Sequence, residues 1–265
     1  IYLTFMRFIQ TIYTIWQREI IRYLRDKTQI ISILFQSLML LVISGAGLGQ
    51  MFTLNNFGVN SIQFLYPGIM AIGVAAVAFF STVSTVWDRE FGFLKEIQVA
   101  PVSRIAVALG KTLGATTIAS FQGLISLALA PIIGVNLSFV SIPKIILFLI
   151  LFAFAISGMG FFIASFIKTT ESFGLLMQVI ISPMLFISGA FFPLTAIPQW
   201  MKIIANINPL AYGVDALRQI ILNSQITNNA LNSLFLHTVS LDTFFLVVFS
   251  LVMVTIATFT FDKRT

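Results

Sequence analysis

Asp88-Arg89-Glu90-Phe91-Gly92-Phe93-Leu94-Lys95-Glu96, continued by Pro101-Val102-Ser103-Arg104, is a charged island between two long apolar runs, Ile62 to Trp87 and Ile105 to Ile133. The chain has 15 Lys and Arg and 9 Asp and Glu, and six of these fall in the island although its flanks carry almost none. Only 9% of the 265 residues are charged and 58% are hydrophobic. A soluble domain carries roughly 25% charged residues, so this chain cannot cover a water-facing surface and the bilayer is its main solvent. The island is where function is expected to enter.

Working outward, about 20 apolar residues at helical rise cross the hydrocarbon. Six stretches meet that length: Ile30 to Phe52, Ile62 to Trp87, Ile105 to Ile133, Ile145 to Ile167, Ser172 to Phe192 and Thr243 to Phe261. Pro67 and Pro183 predict kinks without breaks, because neighbouring helices can re-satisfy the freed carbonyls. Lys111, near one end of the third stretch, is expected to snorkel to the interface. Residues 1–27 read as an amphipathic interfacial helix, with Phe5, Phe8, Ile9, Ile12, Trp16, Ile20 and Tyr23 on one side and Arg7, Arg18, Arg22 and Arg25 opposite. Glu19 and Asp26 weaken that pattern, and packing on another protein surface is the alternative reading of this helix. No cleaved signal peptide is expected.

Lys and Arg divide 12 to 3 between the two sides, Lys144, Lys202 and Arg218 being the minority. That asymmetry places both termini, the charged island and the Lys168 to Glu171 turn in the cytoplasm of a multi-pass protein of the cell membrane. It also accounts for the net charge of +6 without nucleic acid. The loops at residues 53–61, 134–143 and 193–242 then face outward. The small-residue pair Gly45 and Gly49, and the cluster Ser157, Gly158 and Gly160, mark close helix approaches, within one subunit or between two.

Several chemistries are absent. Without cysteine there are no disulfides, thiolate metal sites or thiol nucleophiles, and no metal site is expected. No phosphate-cradling glycine loop occurs, so ATP would have to be hydrolysed by another chain. No Asp, Glu, Arg or His lies in the middle of a span, which disfavours a self-powered carrier. His237, the sole histidine, has no carboxylate near it in sequence that suggests catalysis. Uncharged polar residues occur within spans, Gln36, Gln122 and Gln178 among them; interhelical hydrogen bonding is the ordinary role of such groups.

The outer connection is set apart by its prolines. Ser188-Gly189-Ala190-Phe191-Phe192-Pro193 leads to Pro198-Gln199-Trp200, then to Asn208-Pro209-Leu210 and a helical run from Tyr212 to Leu222. This spacing predicts short helical pieces, with Trp200 at the membrane interface and Asp215 and Arg218 three apart and able to pair. A re-entrant hairpin and an amphipathic outer cap both remain open.

These residues carry a resemblance. Gly189 to Pro193, Pro198, Trp200, Asn208-Pro209-Leu210, Tyr212 and Asp215-Ala216-Leu217-Arg218 resemble the signature of type 2 ABC transporter permeases, closest to the daunorubicin-resistance and nodulation-factor exporter branch. Trp87 to Gly92, with Pro101 to Arg104 and Leu109-Gly110-Lys111, resembles the same family. The resemblance implies an all-α membrane protein with six spans, an N-terminal interfacial helix and an outer re-entrant hairpin before the last span. It implies a permease that pairs with a second permease copy and docks separate soluble ATPase subunits, which bind the ATP and Mg, so that this chain is no enzyme. Asp88, Arg89, Glu90, Phe91, Gly92, Phe93, Leu94, Glu96 and Pro101, within a coupling segment at 88–104, are the expected ATPase contacts. Their charges would rim apolar anchors. Pro193, Pro198, Trp200, Pro209, Asp215 and Arg218, within 193–222, are expected at the outer gate. Because the first, second and fifth spans would line the route, Gln36 and Gln178 are pathway candidates. The expected cargo is a drug, a lipid or a lipid-linked saccharide. A gradient-driven carrier and a non-transporting membrane scaffold are the alternatives.

Overall fold

Where water is absent, an apolar run satisfies its own backbone groups only as a helix or a closed barrel. The computed structural model describes residues 2–32, 35–36, 39–40, 42–43, 61–93, 102–135, 137–222 and 235–264, and every regular element among them is helical. They are α1 (Tyr2–Arg25), α2 (Ser61–Ser81), α3 (Val83–Glu90), α4 (Arg104–Leu129), α5 (Ile142–Phe166), α6 (Thr170–Phe186), α7 (Gln199–Ala205), α8 (Pro209–Leu222) and α9 (Val239–Arg264). The expected first span is helical wherever it is described. Its remainder, Gly45 and Gly49 lie outside the described residues.

Among the described residues, four helices are long and apolar enough to cross a membrane: Ile62–Glu90, Arg104–Leu129, Ile142–Phe166 and Val239–Thr260. The first unites α2 and α3, which continue through Thr82, whose hydroxyl bonds the Phe79 carbonyl at 2.6 Å. Its helix passes through Pro67 and three residues beyond the expected end, so Asp88, Arg89 and Glu90 sit on a helix and not in a loop. At the end away from Arg104, α4 stops at Leu129, and Pro131–Ile133 forms a 3-10 turn closed by Gly134 at φ +83°. Helix α6 is shorter than the expected fifth span. It ends at Phe186 because Gly189 takes a φ of +75°, open to glycine and strained for other residues, and turns the chain back.

Helices α2 and α5 form the centre, through Ala71, Val74, Ala75 and Phe79 on one and Phe152, Ala153 and Ile156 on the other, all buried. α4 packs beside both, α9 runs along α5, and α1 lies on α4. α8 closes the end opposite α3, touching α2, α5 and α9. Glycines set the closest approaches. A Cβ on Gly158 would lie 3.0 Å from Val254 of α9, and one on Gly160 2.9 Å from the Thr82 hydroxyl. The Ser157 cluster therefore serves packing within the chain.

Candidate functional site

The Glu90 end of the rod formed by α2 and α3 is a hub of charge. Asp88 is buried and its carboxylate takes a forked pair of bonds from Arg18 of α1, at 2.6 and 3.2 Å. Its Oδ2 also accepts from Lys111 of α4. Lys111 Nζ reaches Glu19 Oε1 at 3.3 Å, and Glu19 Oε2 holds Arg22 at 2.8 Å. Buried charges persist only when paired and hydrogen-bonded. Here two carboxylates and three cations from three helices satisfy that rule together. Lys111 therefore does not snorkel: its side chain is as buried as Glu19, because two carboxylates meet it inside the fold.

Glycine makes that meeting possible. A Cβ on Gly110 would lie 2.8 Å from Ile15, and one on Gly114 2.7 Å from Glu19 Cβ, so α1 can seat against α4 only at this smooth strip. Trp16 Nε1 donates to the Thr117 hydroxyl at 3.0 Å further along. The N-terminal helix is thus packed on protein along this face. Arg18 and Arg22 point to carboxylates, and Glu19 is the residue around which α1 docks.

Arg89 and Glu90 grip the turn between α5 and α6. Arg89 donates to the Ser165 and Ile167 carbonyls at 3.0 and 2.7 Å, at the C-terminus of α5. Glu90 accepts from the Thr170 amide at 2.9 Å and its hydroxyl at 2.5 Å, at the N-terminus of α6. A cation at a helix C-terminus and an anion at an N-terminus both complement the helix dipole. Phe91 caps α3 and is 80% exposed, followed by Gly92 at φ +81°. Phe93 lies under the Arg18 guanidinium, 4.0 Å from the ring centroid. Of the expected contacts, Asp88 and Arg89 turn inward to neighbouring helices, Glu90 reaches Thr170 while staying exposed, and Phe91 projects. Leu94, Glu96 and Pro101 lie outside the described residues.

At the other end Arg218 is fully buried. It donates to the carbonyls of Gly189, Ala190 and Phe64 at 2.8, 3.2 and 3.3 Å, and its guanidinium lies 3.9 Å from the Phe64 ring centroid. Gly68 lets the Gly189 turn close, since a Cβ there would fall 2.6 Å from Ala190 Cα. Asp215 instead accepts from the Leu236 and His237 amides at 3.0 and 2.9 Å. The expected Asp215 to Arg218 pair is therefore replaced by two separate backbone clamps. Asn208 bonds the Leu210 amide and the Met184 carbonyl, joining Pro209 and the start of α8 to α6. Pro193 is half-buried and Pro198 exposed, and Trp200, 60% exposed, heads the short helix α7 whose Ile203 and Ile204 are also exposed.

His237 is not alone. Its Nδ1 lies 3.5 Å from Asp242 Oδ1 and its ring stacks on Tyr212 at 4.8 Å. Burial pushes the imidazole below its ordinary pKa, against the upward pull of Asp215. Gln36 lines a cavity of about 50 Å³ against Ile69, Gly73 and Phe80 of α2, and Gln178 is exposed on α6. No described contact joins those two glutamines.

Sequence reading missed the hub because Glu19, Asp88 and Lys111 are far apart in the chain. The usable signals were a glutamate inside an apolar helix face and the Gly110 and Gly114 spacing opposite it.

A family model described as ABC-2 type transporter matches residues 10–222. The ycf38 protein of Cyanophora paradoxa, named as a transport permease, is 30% identical over 214 residues, covering 80% of this chain and 74% of that one. The inner membrane transport permease YadH of Escherichia coli K12 is 25% identical over 211 residues, covering 77% and 80%. YbhR of the same strain, named as a multidrug ABC transporter permease, is 26% identical over 174 residues, covering 65% and 47%.

Proposed function

The chain belongs to the ABC-2 type transporter family, and from that premise we propose that it is the membrane permease subunit of an ATP-driven exporter of amphiphilic substrates. Separate soluble ATPase subunits bind ATP and Mg, and drugs, lipids and lipid-linked saccharides are the cargo classes. A second permease copy, identical or similar, completes the pathway. In this reading there are six spans, with the described part of residues 30–52 and the short helix α6 supplying the first and fifth. Both termini and Phe91 are cytoplasmic, residues 1–27 lie at the inner face, and residues 28–265 form the transmembrane domain. Residues 193–222 make the outer re-entrant cap, with Pro193, Pro198, Trp200, Pro209, Asp215 and Arg218 at the gate.

The observation that carries the proposal is the contrast at the tip of Ile62–Glu90. Asp88, Arg89 and Glu90 each tie the rod to a different part of the bundle, whereas Phe91 beside them is exposed. An exposed aromatic at the end of a braced rod is suited to receive a push. Movement of Phe91 by a closing ATPase is passed through Asp88 to α1 and α4, and through Arg89 and Glu90 to the turn between α5 and α6. The exposed face of α6, including Leu175, Gln178 and Val179, is where the second copy and the pathway are placed.

Co-expression with candidate soluble P-loop ATPases from the same genome, purification through this chain and an ATP hydrolysis assay in lipid test the proposal. An ATPase is expected to co-purify and hydrolyse ATP, with at least tenfold weaker association for Phe91→Ala. Failure of every candidate to associate with the wild-type chain overturns it.

A further inference from the structure

Among the described residues, Asp215, His237 and Asp242 bring their ligand atoms to within 4.8 Å of one another, in the angle between α8 and the start of α9. Asp215 and Asp242 are buried and His237 nearly so. The arrangement leaves a charge problem. Asp242 has no exposed surface, its Oδ2 receives only the Gln219 amide at 3.5 Å, and its Oδ1 has no hydrogen-bond partner. Arg218, one turn from Asp215 on α8, spends its donors on three backbone carbonyls. A buried carboxylate needs a counter-charge or a proton, and the unmatched oxygen faces the imidazole Nδ1 at 3.5 Å.

We propose that Asp215, His237 and Asp242 form a binding site for a divalent transition metal of the zinc class, stapling α8 to α9. Zinc sits about 2.0 to 2.2 Å from imidazole nitrogen and carboxylate oxygen, so tetrahedral ligands stand roughly 3.4 Å apart. The Nδ1 to Oδ1 separation is already close to that value, and Asp215 has to close by up to about 1.4 Å. Mixed nitrogen and oxygen donors suit zinc over magnesium or calcium, which take oxygen alone. The surroundings hold the donors in place as supporting groups around metal ligands do. Asp215 Oδ2 accepts from the His237 amide at 2.9 Å, the Gln219 amide donates to the His237 carbonyl at 3.0 Å, and Tyr212 stacks on the ring. Three protein ligands leave a fourth position for water or a substrate group. The site stands on these residues alone and does not depend on the transport proposal.

The tag-free chain, purified in lipid nanodiscs and stripped with chelator, is titrated with Zn²⁺ by calorimetry and with Co²⁺ by visible absorption, with Mg²⁺ as the control. One equivalent of Zn²⁺ per chain, an intense tetrahedral cobalt spectrum and no Mg²⁺ binding are expected. Asp242→Asn and His237→Ala are each expected to weaken Zn²⁺ binding tenfold or more. The cobalt spectrum of the wild-type chain decides the matter even where a variant does not fold. Absence of Zn²⁺ binding, or unchanged affinity in both folded variants, overturns the proposal. A chain whose stability follows pH and ignores Zn²⁺ also overturns it, because a proton then supplies the counter-charge.

Discussion

Lys111 faces Glu19 and Asp88 together in a buried setting. Removing one partner of a buried ion pair costs about 3 to 5 kcal/mol, because the other charge stays behind without its match. Arg18 and Arg22 remain on the two carboxylates, which places Lys111→Met at the low end, about 3 kcal/mol, read as a fall in thermal stability in detergent. Adding Glu19→Gln to Lys111→Met is expected to recover part of that loss, since neighbours in one network are not additive. An unchanged melting temperature for Lys111→Met would show that the network contributes nothing. Phe91 behaves in the opposite way. It is exposed, so truncation there leaves stability within about 0.5 kcal/mol and acts on partner binding alone.

At the scale of elements, the seating of α1 depends on a strip without side chains on α4. Gly114→Val introduces atoms where a Cβ already falls 2.7 Å from Glu19, and that contact is to the stem of the side chain close to its backbone. Overpacking of this kind costs about 1 to 3 kcal/mol. The expected readout is faster proteolysis within residues 2–25, with α4 and α5 still protected. Equal protease resistance of α1 in both proteins would contradict the seating. The same elements show what could be read in the sequence. The long helices were legible because the bilayer admits one answer for twenty apolar residues, and α5 and α9 lie where hydropathy puts them. Helix α6 was overextended because its end is set by the Gly189 turn, which Arg218 grips from α8. The charged tip of Ile62–Glu90 was legible as a cluster, but the partners of Asp88 and Arg89 were not, because they lie on α1, α4 and α5, far away in the chain. His237 looked solitary since Asp215 reaches it from another helix.

Taken whole, the molecule has opposed ends with different surfaces. One end presents Phe91 beside a charge hub, and the other presents Trp200, Ile203 and Ile207, all exposed and apolar, as an interfacial belt does. The chain contains no cysteine, so single cysteines report cleanly. Trp200→Cys is expected to react with a membrane-impermeant maleimide in intact cells and Phe91→Cys only after permeabilisation, whereas the reverse pattern would invert the proposed orientation. Val179 is 72% exposed on α6, and oxidation of Val179→Cys is expected to give a covalent pair of chains where that face meets a second copy. The hub also bears on how such a chain is made. Translation delivers Glu19 and Asp88 into the membrane region before Lys111 has left the ribosome. Until it arrives, the two carboxylates have only Arg18 and Arg22 as partners, and the glycine strip that receives α1 does not yet exist. Helix α1, made well before α4, is thus among the last of these elements to settle, and a nascent chain halted before Lys111 leaves α1 undocked.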